Sequence, residues 1–229
     1  MTLPLPRAVL FDLDDTLYLE RDYVASGFRA VGRWMAERYG VTAFARVCQE
    51  LFAAGRRGDV FDAALAALDL AERVPVVELI RVYREHHPDI RLLPDAERLL
   101  RRLHGRVPLA LVTDGTARVQ RRKLLALGIA PLFDVITVTD ELGRAFWKPH
   151  PRPFLATLEA LGVEPHETLW IADNPKKDFL TPRRLGMACV RVRRPDGIYA
   201  HLETGPEGVD REVSDLDSLD LLPLAAGAV

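Results

Sequence analysis

Asp12 and Asp14, two residues apart and followed by Thr16, stand in the segment Phe11-Asp12-Leu13-Asp14-Asp15-Thr16-Leu17, directly after an apolar run. Three more clusters follow. They are Thr113-Asp114-Gly115, then Lys148 in the proline-studded Lys148-Pro149-His150-Pro151-Arg152-Pro153, then Asp173 and Asp178 around Asn174-Pro175-Lys176-Lys177. Asp12, Asp173 and Asp178, with few histidines or thiols nearby, make an all-oxygen donor set that favours Mg²⁺. A carboxylate approaching a phosphate dianion at ~4 Å is opposed by roughly 8 kcal/mol at an effective dielectric of ~20. A divalent cation, helped by the ammonium of Lys148, turns that repulsion into attraction. Thr113 and the amides of Asp114 and Gly115, leading into a helix N-terminus, are suited to the remaining phosphate oxygens. On this reading Asp12 attacks phosphorus and becomes an aspartyl-phosphate. Asp14 protonates the leaving oxygen and then takes a proton from water, with its pKa expected to be raised by crowding.

Residues so far apart in sequence need a scaffold that gathers them. Four apolar runs rich in β-branched residues, Ala8–Phe11, Leu109–Val112, Val135–Val138 and Thr168–Ala172, each end just before or near one cluster. Unbroken hydrophobicity predicts strands buried on both faces of a parallel sheet, with Ala188–Val192 as a fifth. Helical spacing over Val119–Leu127 stops at Gly128, with Thr116 as the expected N-cap, and Phe154–Leu161 follows Pro153 and stops at Gly162. Strands alternating with helices imply a doubly wound α/β domain whose strand ends converge on one crevice. Residues 19–92 break the alternation. They read as helices over Tyr23–Tyr39, Ala45–Ala54, Val60–Leu68 and Val76–His86, an all-helical insertion that divides the chain into 1–18 with 93–229, and 19–92. The end of the chain, from Gly205, carries a weak apolar pattern and an Ala-Gly tail expected to fray.

Composition narrows the function classes. The 229 residues are 48% hydrophobic and carry a dispersed formal charge of −2, so neither nucleic acid nor an anionic membrane is an expected partner. Cys48 and Cys189 have no ligand-spaced neighbours and read as buried thiols in a reducing compartment. No signal peptide or membrane-length apolar run is apparent, which makes the cytoplasm the expected location. The cations are nearly all arginine, and the only lysines are Lys123, Lys148, Lys176 and Lys177. Against that habit, a lysine beside chemistry points to a need for its compact ammonium.

The four clusters, in this order, resemble the haloacid dehalogenase-like hydrolase superfamily. Its pattern is Asp-x-Asp-x-Thr after the first strand, Thr or Ser after the second, a Lys-Pro segment, and Gly-Asp-x-x-x-x-Asp. The likeness covers nearly the whole chain, with Ala172 standing where glycine is usual. It implies a Rossmann-like parallel-sheet core with an all-helical cap inserted after the first strand, as in the phosphoglycolate phosphatase-like branch. It implies Mg²⁺ held by the Asp12 side chain, the Asp14 carbonyl and Asp173, with Asp178 supporting the metal's shell. The implied activity is Mg²⁺-dependent hydrolysis of a small-molecule phosphate monoester. Sugar phosphates, phosphoglycolate, and nucleotide or flavin phosphates all stay open as substrates.

Other readings stand beside this one. A 2-haloacid dehalogenase uses the same nucleophile but needs neither a proton donor nor Mg²⁺, so Asp14 and the acidic set count against it. A phosphomutase could use the same core, and a non-catalytic binder of phosphorylated ligands would not need both Asp12 and Asp14. His86 and His87 read as surface or hinge residues, Arg84 and His87 as less expected substrate contacts. Arg56 and Arg57 read as a solvated loop, and Trp34, Trp147 and Trp170 as packing residues.

Overall fold

The computed structural model describes residues 6–206 and 208–221. Six parallel strands form one sheet: β1 (Ala8–Phe11), β2 (Leu109–Thr113), β3 (Val135–Val138), β4 (Thr168–Ala172), β5 (Ala188–Val192) and β6 (Arg211–Val213). Their order is β3-β2-β1-β4-β5-β6, an α/β arrangement in which the winding direction reverses between β1 and β4. A crevice opens at such a switch point, outside the carboxyl ends of the strands. The register pairs Phe11 with Leu111 on one side and with Ile171 on the other, so the loops after β1, β2 and β4 leave the sheet at one level.

The five predicted strands are present within a residue of their expected bounds, and β6 was not foreseen. Their continuous hydrophobicity has the expected cause, since β1, β2 and β4 are buried at every residue. Leu10, Val112, Phe154, Trp170, Met187 and Cys189 pack together on one face. Cys48 and Cys189 are both buried and free.

Helices α1 (Glu20–Tyr39), α2 (Phe44–Ala53), α3 (Val60–Ala67) and α4 (Val76–Glu85) follow β1. Then come α5 (Pro94–Leu103), α6 (Ala117–Leu127), α7 (Arg152–Leu161) and the short α8 (Leu180–Leu185). Neither α5 nor α8 was read from the sequence. Thr116 occupies the N-cap position of α6, but its side chain makes no capping bond. Asp140 does that work from a neighbouring loop, its Oδ2 accepting the Ala117 N–H at 2.9 Å.

The chain forms two compact units, one of residues up to 20 and from 91 onward, the other of residues 21–90. The second is all helical, with its own core around Phe28, Val31, Met35, Phe44, Cys48 and Leu79. Gly27 lets α1 approach α4 closely, because a Cβ there would lie 2.2 Å from the Tyr83 ring. His86 is buried rather than at the surface, packed 5.1 Å from the Tyr23 ring. His87 and Arg84 are exposed. Arg56 pairs with Asp59 at 2.8 Å, and Arg57 lies over the Phe52 ring and donates to its carbonyl. Among the described residues, no helix is long and apolar enough to cross a membrane. The Ala-Gly tail lies outside the described residues.

Candidate active site

A cavity of about 260 Å³ lies in the sheet-bearing unit, lined by Asp12, Asp14, Asp114, Gly115, Lys148 and Asp173 from the predicted clusters. Glu20, Trp147, Asn174, Lys177 and Tyr199 complete the lining. Trp147, read as a packing residue, is therefore a wall of the site, while Trp170 is fully buried beneath it.

Asp12 follows β1 and is 4% exposed, its backbone N–H held by the Ile171 carbonyl at 2.9 Å. Lys148 Nζ lies 2.6 Å from Asp12 Oδ1 and 2.8 Å from Asp178 Oδ1. Burial drives the Asp12 carboxyl up, Lys148 pulls it back, and Asp178 pushes it up again, leaving it at about 7. The two carboxylates hold the Lys148 ammonium firmly protonated against its burial.

Asp12, Asp173 and Asp178 each present an oxygen within 4.8 Å of the others. Burial, then Asp178 and Asp12, push Asp173 well above the usual carboxylate range. Lys148 is shared by Asp12 and Asp178 and is the one ammonium paired directly with these three crowded carboxylates, with the Lys177 charge acting from further off. A hard divalent cation fits such an all-oxygen donor set. Local backbone bonds shape the loop: Asn174 N–H donates to Asp178 Oδ2 at 3.0 Å, and Asp178 N–H donates to the Asn174 carbonyl at 3.1 Å. Behind it, the fully buried Arg191 of β5 donates from Nε to the Asp173 carbonyl at 3.0 Å.

Asp14 departs from expectation. Its Oδ1 accepts from Lys123 Nζ at 2.7 Å and from the Tyr18 hydroxyl, and its Oδ2 accepts from Gln120 Nε2 at 3.1 Å. Burial raises the carboxyl, but the Lys123 charge and these donors outweigh burial and hold it below its ordinary value. The expected upward shift counted crowding by Asp12 and by a bound phosphate, and missed the donors that α6 brings to Asp14 before any phosphate arrives.

Thr113 is fully buried and outside the cavity lining, its Oγ1 accepting from Gln120 Nε2 at 2.6 Å. A hydroxyl that accepts one bond retains its own hydrogen to donate. Asp114 accepts from Thr139 Oγ1 at 2.7 Å, the Lys148 N–H at 3.1 Å and Lys177 Nζ at 3.1 Å. Burial raises its carboxyl, but Lys148 and Lys177 hold it below the usual range. Gly115 adopts φ +133°, and a Cβ there would meet Gln120 Oε1 at 3.0 Å. Only glycine leaves both the turn and Gln120 undisturbed.

Sequence reasoning missed Tyr18, Gln120, Lys123, Glu20, Lys177 and Tyr199. One signal was present, since Lys123, Lys148 and Lys177 are three of the four lysines, and Gln120 and Lys123 stand one helical turn apart. Glu20 is the first residue of α1, and burial, then Asp14, push its carboxyl up to about 7. Asp15, at φ +52°, accepts from the Glu20 N–H at 2.8 Å through Oδ1 and from the Ile198 N–H at 2.7 Å through Oδ2.

Comparison with known proteins places this geometry among relatives. The model of a family described as haloacid dehalogenase-like hydrolase matches residues 6–186. A glyceraldehyde 3-phosphate phosphatase of Methanopyrus kandleri is 32% identical, covering 86% of this chain and 87% of its own. Another, of Methanocaldococcus jannaschii, is 29% identical over 91% of each chain. The crystal structure of a HAD phosphatase from Thermococcus onnurineus is similar at a TM-score of 0.60 and 28% identity, covering 91% of this chain and 94% of that one.

Proposed function

From the premise that the chain belongs to the haloacid dehalogenase-like hydrolase family, we propose that it hydrolyses small phosphate monoesters with Asp12 as nucleophile. The observation that carries this reading is the placement of Asp12, Asp14, Lys148 and Asp173 around one cavity at the switch point of the sheet. The unit of residues up to 20 and from 91 onward is the catalytic core, and residues 21–90 are the cap.

Lys148 screens the incoming phosphate from the acidic cluster, and the amides of Asp114 and Gly115, with the Thr113 hydroxyl, receive its other oxygens. Asp12 Oδ attacks phosphorus, the bond from phosphorus to the leaving oxygen breaks, and Asp14 delivers a proton to that oxygen. Approach of a phosphate dianion raises the proton affinity of Asp14 above that of the unliganded site. Water then attacks the aspartyl-phosphate while Asp14 takes its proton, which releases inorganic phosphate and restores Asp12. Asp12, Asp173, Asp178 and the Asp14 carbonyl would hold Mg²⁺, which supplies charge neutralisation between nucleophile and phosphate.

Relatives that act on glyceraldehyde 3-phosphate make three-carbon sugar phosphates the first substrates to try. The deciding assay is phosphate release from p-nitrophenyl phosphate by wild type and Asp12→Asn, with Mg²⁺ and with chelator. Turnover by wild type alone, and only with the cation, is expected. Full turnover by Asp12→Asn removes the nucleophile assignment. Dechlorination of a 2-haloacid in chelator, without phosphatase activity, moves the protein to the dehalogenase reading.

A further inference from the structure

The walls of the cavity say something about the alcohol that leaves. Five carboxylates (Asp12, Asp14, Glu20, Asp114 and Asp173) and two lysines line it, a formal surplus of three negative charges. Both lysines are committed, Lys148 to Asp12 and Asp178, and Lys177 to Asp114. The proposed attack and proton transfer account for Asp12 and Asp14, and the acidic cluster accounts for Asp173. Glu20 has no part in either.

Glu20 is nevertheless held with care. Asp15 sits in a left-handed turn and bridges two backbone N–H groups, that of Glu20 through Oδ1 and that of Ile198 through Oδ2. Ile198 is followed by Tyr199, another wall with no part in the proposed reaction, and the Tyr199 carbonyl is fixed in turn by Arg191 Nη2 at 3.1 Å. One buried carboxylate therefore sets the positions of an acidic and a phenolic wall on two distant segments. The Glu20 carboxylate accepts from hydroxyl or ammonium groups and repels anions, the Tyr199 phenol exchanges hydrogen bonds with hydroxyls, and the Trp147 indole, also in the lining, offers a face to a cation.

We propose that this crevice selects phosphate monoesters whose leaving alcohol carries hydrogen-bond donors and no second anion, with Glu20 as the residue that rejects a carboxylate or further phosphate. The proposal rests on the phosphatase reading and deepens it. Tyr199 forms the second wall of the same subsite.

Three two-carbon esters of matched size separate the possibilities: 2-hydroxyethyl phosphate, O-phosphoethanolamine and 2-phosphoglycolate, assayed at about pH 8 so that Glu20 is ionised. Wild type should turn over the first two with kcat/KM at least ~10-fold above the third, the effect of one close like-charge contact of about 1.4 kcal/mol. Glu20→Gln keeps the shape and removes the charge, and should bring the gap below about threefold. Inhibition constants of the matching phosphonates, 2-hydroxyethylphosphonate, 2-aminoethylphosphonate and phosphonoacetate, should follow the same order in wild type, which reads binding without turnover or any variant. If 2-phosphoglycolate is the best of the three, or the gap survives in Glu20→Gln, the proposal falls while the phosphatase reading stands. If neither these esters nor p-nitrophenyl phosphate are hydrolysed, the phosphatase reading fails and the proposal goes with it.

Discussion

Replacing Lys123 by Met removes the ammonium 2.7 Å from Asp14 Oδ1 and keeps an unbranched apolar stem. The Lys123 side chain is 4% exposed and that of Asp14 20%, so the pair is largely out of water. Removing one partner of a buried pair costs ~3–5 kcal/mol. Asp14 keeps the Tyr18 hydroxyl and the Gln120 amide and some solvent, which lowers the expected cost to ~2–3 kcal/mol near pH 7. The pH dependence gives a second signature. Because the folded Asp14 carboxyl lies below its ordinary value, it contributes stability above the unfolded pKa of ~3.9 that is lost as the pH falls through the folded value. In the variant, burial acts on Asp14 without the opposing ammonium and that contribution is gone. The deficit is therefore largest at neutral pH and shrinks in acid. Urea unfolding with a slope of ~2–3 kcal/mol/M should place the variant's midpoint about 1 M lower near pH 7, and closer to wild type near pH 2, below the window in which the Asp14 contribution is lost. A shift below ~0.2 M near pH 7 would refute the charge argument, since it corresponds to under ~0.6 kcal/mol. An equal shift at both pH values would leave Lys123 as a packing residue only.

Asp14→Asn should slow an alkyl phosphate by ~10²–10⁴-fold while p-nitrophenyl phosphate still gives a phenolate burst followed by slow turnover; equal loss in the first step, with no burst, would remove Asp14 as proton donor. Activity should vanish in chelator, return with Mg²⁺ and be inhibited by Ca²⁺, whose looser, higher coordination misplaces the attacking carboxylate; Ca²⁺ supporting full activity would contradict this. Asp95 accepts from Arg194 Nη1 at 2.5 Å and from the Leu216 N–H at 2.6 Å, while Arg194 Nη2 donates to the Thr16 carbonyl at 2.8 Å. Asp95→Ala should cost ~3–5 kcal/mol by stranding a buried guanidinium, more than the double change Asp95→Leu with Arg194→Met; in guanidinium unfolding, a single variant as stable as the double would contradict it.

The parts legible in the sequence are those governed by local pattern. Buried parallel strands announce themselves as apolar runs, and chemistry placed at their ends stays adjacent to them in sequence. Helix α5 was legible in principle: Ala96, Leu99, Leu100 and Leu103 have helical spacing and are all buried, but five charged residues within Pro94–Leu103 diluted the signal. Strand β6 spans three residues, two of them charged and exposed, and gives no periodicity to read. The clamp on Asp14 was hidden for another reason, because Lys123 lies 109 residues along the chain and its ammonium matters only once α6 docks beside β1. Arg191 sits inside the apolar strand Ala188–Val192, where a charge argues against burial. Its tolerance comes from carbonyls at Asp173, Tyr199 and Leu202, which only the fold brings within reach.

The scarcity of lysine has a practical consequence once the side chains are placed. Lys148 is fully buried and Lys123 nearly so, each locked to a carboxylate. Lys177 is half-buried, and Asp178, Asp12 and Asp114 hold it protonated despite its burial. Lys176 alone is exposed. An amine-reactive ester therefore meets one open lysine on the folded protein, between two residues of the loop that line the crevice, Asn174 and Lys177. A fluorophore attached there stands at the mouth of the site without a cysteine having to be engineered, and a lysine-specific protease has the same single foothold.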